Sequence, residues 1–238
     1  MSLKEIFLRE FLGWKRSEVL YLLFSVSFIL VLSLSRDSVF SIIAAVTGCF
    51  AAILTGQGKL GAFVFGIVNS VLYGYISYKY HYYGEVLLKF LVFIPLNFYG
   101  IYSWNKNFSK TTHEAIKRHL TVKKGGYLVL LIAIVSSTLG VFLKYINGNL
   151  PFVDAFSTVL AVFALILCIK RYCEHWLLWV VINCVNIYLW IVPFFDNGVQ
   201  KPYAILLMWI FYLVNSIIMY YRWYSVEKLE NKNGGWFL

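Results

Sequence analysis

Five residues in one stretch carry the strongest chemical signal: Trp176, Trp179, Asn183, Asn186 and Trp190, spaced three, four, three and four. On an α-helix that spacing puts all five on one face. Two carboxamides flanked by indoles suit a flat polar solute. The amides can hydrogen-bond it, and the indole faces can stack on a ring or attract a cation, for about 0.5–2 kcal/mol each. The plainer alternative is that the amides join helices, worth about 0.6–2 kcal/mol each. Phe65, Asn69 and Tyr73 follow a related pattern at spacing four and four. Asn97 lies two residues after Pro95, and Asn215 sits in the middle of the last long apolar run. Trp176, Trp179, Asn183, Asn186, Trp190, Asn69, Tyr73, Asn97 and Asn215 form the candidate solute-binding set.

The elements that hold these residues are membrane helices. The 238 residues are 61% apolar and 13% charged, against about 25% charged in a soluble domain, and the mean hydropathy is +0.73. The apolar runs are about 20 residues long and lack the period-two alternation of barrel strands, so helices are expected. Eight spans are expected at Ser17–Leu34, Ser38–Gly56, Leu60–Tyr80, Tyr83–Trp104, Gly126–Tyr145, Phe152–Ile169, Glu174–Val192 and Pro202–Trp223. The polar segment Asn105–Gly125 has room for a short amphipathic helix around Thr112–Leu120.

The net charge of +10 lies mostly in loops. On an eight-span reading, sixteen Lys and Arg fall on the side of the termini and four on the other, with Lys89 inside a span. This positive-inside bias predicts cytoplasmic termini and needs no nucleic-acid partner.

Spans two to four resemble spans six to eight. Ile67-Val68-Asn69 matches Val181-Ile182-Asn183, and Tyr102-Ser103-Trp104 matches Tyr221-Arg222-Trp223. One helix between the triplets makes the copies parallel, a known transporter plan with its site near the midplane. The fold class expected is an all-α integral membrane protein, with one extra N-terminal helix and a three-plus-one-plus-three parallel-repeat core. The expected divisions are 1–37, 38–104 for the first repeat, 105–151 for the loop and linker helix, 152–224 for the second repeat, and 225–238 for the tail.

No enzyme pattern is complete. His113-Glu114 leads to His119 at the wrong spacing for HExxH, Gly56-Gln57-Gly58-Lys59 is followed by Leu60 rather than Ser or Thr, and no GxSxG occurs. Cys49, Cys168, Cys173 and Cys184 form no CxxC pair. Neither a metal nor a cofactor is expected. Lys89, with Glu85 four residues before it, is expected to snorkel. Asp154 and Glu174, near span ends, are expected to anchor. Pro95, Gly100 and Pro193 are expected to kink or end helices. The site should therefore be polar yet neutral.

From about Val46 onward the sequence resembles the PnuC-type nicotinamide riboside transporter family. The matching residues are Thr47-Gly48, Gly58-Lys59, Gly66, Asn69, Tyr73, Tyr83-Gly84-Glu85, Pro95, Gly100 and Trp104, then Asp154, Glu174-His175-Trp176-Leu177-Leu178-Trp179, Asn183 and Arg222-Trp223. The resemblance implies a SWEET-like fold, a homotrimer in the bacterial inner membrane, and facilitated diffusion of a vitamin precursor trapped by phosphorylation for NAD biosynthesis. On that basis Trp179 and Trp190 would flank the pyridinium ring, while Asn69, Asn183 and Asn186 bond ribose or carboxamide. Leu165 stands where the family often has Gln, and Lys89 where it often has Asn. Transport of thiamine or riboflavin, or a sugar facilitator, are the alternatives. A small intramembrane enzyme or assembly factor is the contrasting class.

Overall fold

The computed structural model describes residues 10, 14–107 and 117–232, the side chains of 122 and 226–232 excepted. Among the described residues, eight helices are long and apolar enough to cross a membrane. They are α1 (Arg16–Ser33), α2 (Val39–Gly56), α3 (Gly61–Lys79), α4 (Tyr83–Lys106), α5 (Val122–Tyr145), α6 (Pro151–Ile169), α7 (His175–Ile191) and α8 (Tyr203–Lys232). At 1.5 Å per residue the shortest of these suffices for most of a hydrocarbon layer of about 30 Å. The outward faces carry exposed Leu, Val, Ile and Phe, among them Val31, Leu91, Leu130 and Val141. Such a surface is stable only against lipid, and the protein is a multi-pass membrane protein.

The first helix of each triplet packs on the last helix of the other: α2 on α8, and α6 on the start of α4. α1 lies against α2 and α8, and α5 against α6. Glu18 ties α1 in, accepting from Gln57 Nε2 at 3.2 Å and pairing with Arg222 of α8.

Four helices end in the same motif, with one residue in the left-handed region after the last turn. These residues are Gly58 after α2, His81 after α3, Asn147 after α5 and Arg171 after α6. The amide of the next residue then bonds the carbonyl five residues back, as in Lys59 to Leu54 (2.9 Å) and Tyr172 to Leu167 (2.9 Å). α2 and α6, the leading helices of the triplets, thus end alike.

α4 is not a regular helix. Residues Leu88–Phe93 form a π-helical stretch that leads into Pro95. Proline lacks an N–H and its ring clashes with the carbonyl four residues earlier; the wider π turn accommodates both. Pro193 falls in the 3-10 turn Val192–Phe194 that closes α7. The expected amphipathic helix around Thr112–Leu120 meets the described residues only from 117 onward. Those residues are extended, not helical: Arg118 bridges Tyr172, and Cys173 N donates to the Arg118 carbonyl at 2.8 Å. Pairing with the α6–α7 turn takes the backbone bonds a helix would have used.

Two reciprocal clasps join the triplets. At the end where α2 and α6 finish, Trp104 Nε1 donates to the Cys168 carbonyl (3.3 Å) and Trp223 Nε1 to the Gly56 carbonyl (2.8 Å). At the other end, where α4 and α8 begin, Asp154 accepts from the amides of Gly84 (2.8 Å) and Glu85 (3.1 Å), and Asp37 from that of Ala204 (3.1 Å). Asp154 is fully buried, so it works as a cap between helices rather than as the interfacial anchor expected.

Candidate solute site

A cavity lies between the two triplets, with about 730 Å³ of space not filled by atoms, the part open to solvent included. α7 contributes Trp176, Trp179 and Asn183; α3 contributes Gly66 and Asn69; α4 contributes Lys89, Phe93 and Asn97; α8 contributes Trp209 and Asn215. Leu165 of α6 also lines it. Gly66 leaves room for the Asn97 amide, since a Cβ at that position would stand 2.7 Å from Asn97 Oδ1.

The amides are oriented by their partners. Asn69 Nδ2 donates to the Ala44 carbonyl (2.8 Å), Asn97 Nδ2 to that of Phe93 (2.7 Å) and Asn215 Nδ2 to that of Ala52 (3.2 Å). A carbonyl only accepts, so the nitrogen must face it. Asn183 Nδ2 meets Ser216 Oγ at 2.9 Å. The Ser216 hydrogen is committed to the Tyr212 carbonyl (2.8 Å), so Asn183 donates as well. The carbonyl ends of Asn183 and Asn215 are buried without a partner among the described residues, and so is Trp176 Nε1. An unmade bond in a buried site costs about 1–3 kcal/mol. The cavity thus offers acceptors to a solute rich in hydroxyl or amide hydrogens, together with an indole donor. Phe93 and Trp179 meet edge to face across part of it, ring centroids 6.3 Å apart.

Of the nine candidates, Trp176, Trp179, Asn183, Asn69, Asn97 and Asn215 line this cavity. Tyr73, Asn186 and Trp190 are fully buried elsewhere. Trp190 Nε1 donates to Tyr73 Oη at 2.7 Å, and its ring packs against Tyr80 and Tyr82 at 5.1 and 5.3 Å, nearer the start of α4. Trp179 and Trp190 therefore do not flank one space. Asn186 Nδ2 returns to the Ile182 carbonyl of its own helix at 3.1 Å.

Sequence reasoning missed Phe93, Trp209 and above all Lys89. The expectation of a neutral site is corrected: Lys89 lines the cavity, is 5% exposed and does not snorkel. The π turn directs it inward, with Nζ 4.6 Å from the Tyr73 ring centroid and 4.2 Å from that of Phe93. Its being the one basic residue well inside a span was the available signal.

The comparisons with known proteins agree with one another. Residues 38–225 match the family model described as nicotinamide mononucleotide transporter. The chain is 34% identical over 221 residues to the nicotinamide riboside transporter PnuC of Neisseria mucosa, covering 91% of this chain and 84% of the relative. It is 32% identical over 238 residues to the nicotinamide riboside transporter PnuC of Haemophilus influenzae, covering 97% and 100%. A crystal structure of the vitamin B3 transporter PnuC superposes with a TM-score of 0.85 at 34% identity, over 96% of this chain and 99% of the other.

Proposed function

Since the chain belongs to the nicotinamide mononucleotide transporter family, we propose that it carries nicotinamide riboside across the bacterial inner membrane. The observation that carries this reading is the cavity between the triplets, walled by Trp176, Trp179 and Asn183 on one side and by Asn69 and Asn97 on the other. The free carbonyls of Asn183 and Asn215 suit ribose hydroxyls and the carboxamide NH2. Phe93 and Trp179 suit a flat ring. The names of the relatives support the same solute.

Movement runs down the solute gradient, and phosphorylation in the cytoplasm traps the product for NAD synthesis. Both termini face the cytoplasm, as the sixteen-to-four bias of basic residues favours. The working unit is a homotrimer, and the two sequence repeats, 38–104 and 152–224, are the halves that move around the site. Tyr73, Asn186 and Trp190 set the shape of the far wall of the passage.

The test is uptake of labelled nicotinamide riboside into vesicles holding the purified protein. Trp179→Ala and Asn183→Leu should each reduce uptake at least about tenfold, the loss of one stacking or hydrogen-bonding contact, while the variants still assemble. Full uptake by both would place the solute path elsewhere.

A further inference from the structure

Lys89 stands apart from every other wall residue of the cavity. A lysine far from the interface is expensive in a membrane protein and marks a solute or ion path. Here the ammonium rests on the faces of Tyr73 and Phe93, which favour a cation but accept none of its three hydrogens. Among the described residues no hydrogen bond to Lys89 Nζ is formed, and no carboxylate lies within salt-bridge distance. Glu85, one turn earlier and 1% exposed, instead accepts from Ser157 Oγ at 3.1 Å. Asp154 is occupied by the amides of Gly84 and Glu85. The ammonium therefore faces the cavity with unused donors. The other cavity groups that lack partners, Asn183 Oδ1, Asn215 Oδ1 and Trp176 Nε1, are neutral; the carboxylate whose charge acts on Lys89 is Glu85, beyond salt-bridge distance and with its Oε2 also buried without a partner.

We propose that Lys89 contacts the solute and selects its charge, so that this carrier takes pyridine nucleosides bearing a ring carboxylate at least as well as those bearing a carboxamide. A ring carboxylate turns the cationic pyridinium nucleoside into a zwitterion. Its oxygens supply the acceptors that the ammonium lacks, with a charge-assisted bond as the result. A carboxamide nucleoside keeps a net positive charge and meets the same ammonium with repulsion in a low-dielectric site. The amide oxygen still accepts one bond, so the carboxamide form is carried, but without the advantage. This inference rests on the transport reading above.

The experiment is competition for uptake at pH 7 in vesicles of the full-length protein, with nicotinamide riboside and nicotinic acid riboside as probes. In the wild type the acid should compete at least as strongly as the amide. Lys89→Met should weaken the acid at least about tenfold more than it weakens the amide, the scale of one charge-assisted contact against one ordinary bond. Lys89→Arg should keep the preference of the wild type. An equal loss of both solutes in Lys89→Met, with Lys89→Arg no better, would make the residue structural and overturn the proposal. If neither variant assembles, the wild-type ratio decides: an amide preference of about tenfold or more overturns it. Uptake of neither riboside by assembled wild-type protein would instead remove the transport reading, and this inference with it.

Discussion

The two ends of the bundle are joined through the same two pairings, α4 with α6 and α8 with α2 or the turn just before it, yet with opposite chemistry. Where α2 and α6 finish, indole N–H groups of Trp104 and Trp223 reach across to carbonyls. Where α4 and α8 begin, the carboxylates of Asp154 and Asp37 reach across to amides. Helix polarity explains the difference. The last turn of a helix has carbonyls without partners and needs donors; the first turn has amides without partners and carries partial positive charge, so it needs acceptors, best of all anions. A third case shows that polarity, and not the side of the membrane, decides. α3 begins at the end where α2 finishes, and there Glu10 takes the amides of Leu60 (3.2 Å) and Gly61 (2.8 Å). Between the triplets, one pair of clasps is thus made by neutral indoles and the other by carboxylates that can be protonated.

The strongest way to break this comparison is at the indole end. Trp223 is fully buried among His175, Trp176 and Trp104, with ring centroids 4.9, 5.9 and 6.3 Å away. Trp223→Ala should cost about 3–5 kcal/mol. The value should fall toward the lower end, since burial here exchanges lipid rather than water for protein. Trp223→Phe keeps most of the packing and removes the bond to Gly56, for about 1 kcal/mol. Thermal unfolding in detergent checks both. A Phe variant as damaging as Ala would make the hydrogen bond, not the packing, the main tie.

At the carboxylate end the largest effect belongs to Asp154. Asp154→Ala leaves the amides of Gly84 and Glu85 without acceptors in a buried place, a loss of about 1–3 kcal/mol. Asp154→Asn keeps one acceptor oxygen and should recover part of that. Gly84 permits the approach, because a Cβ there would stand 2.7 Å from Asp154 Oδ1. Equal stability of the Ala and Asn variants would show that capping is not what Asp154 does.

The sequence made the helices legible, because length and apolarity alone decide what can span a bilayer; the boundaries of α2, α4 and α6 agree to within two residues. It also disclosed the inward face of α7, since period 3.6 gives direction around an axis. Periodicity does not give depth along that axis or what stands opposite. Trp179 and Trp190 share the face, yet only Trp179 reaches the cavity, because Tyr73, Tyr80 and Tyr82 from α3 and its following turn close around Trp190. Lys89 was misjudged for a related reason. A regular helix would have let it rise toward the interface, whereas the π turn ahead of Pro95 changes its direction. The caps formed by Asp37 and Asp154 were hidden because they join residues more than 60 positions apart.

The smallest expected effect is the one that most sharpens the contrast between the ends. Asp37 lies between α1 and α2, and burial raises its carboxyl from the usual range near 4 to about 6, although the amides of Ala204 and Tyr203 pull the other way. The folded state therefore holds the Asp37 proton more tightly than the unfolded chain does. The contribution of Asp37 to stability must then fall as pH rises from about 4 to about 6 and level off above that. Asp37→Asn keeps an acceptor for Ala204 and cannot ionise, so it should gain on the wild type across that window, with a higher relative Tm at pH 7 than at pH 4. Trp223→Phe, which removes a neutral indole clasp, should instead follow the wild type at a constant offset. Melting curves of the three proteins between pH 4 and 7 measure this. Parallel curves for wild type and Asp37→Asn would mean that this carboxylate is already ionised at no cost, and that proton sensitivity does not distinguish the two ends.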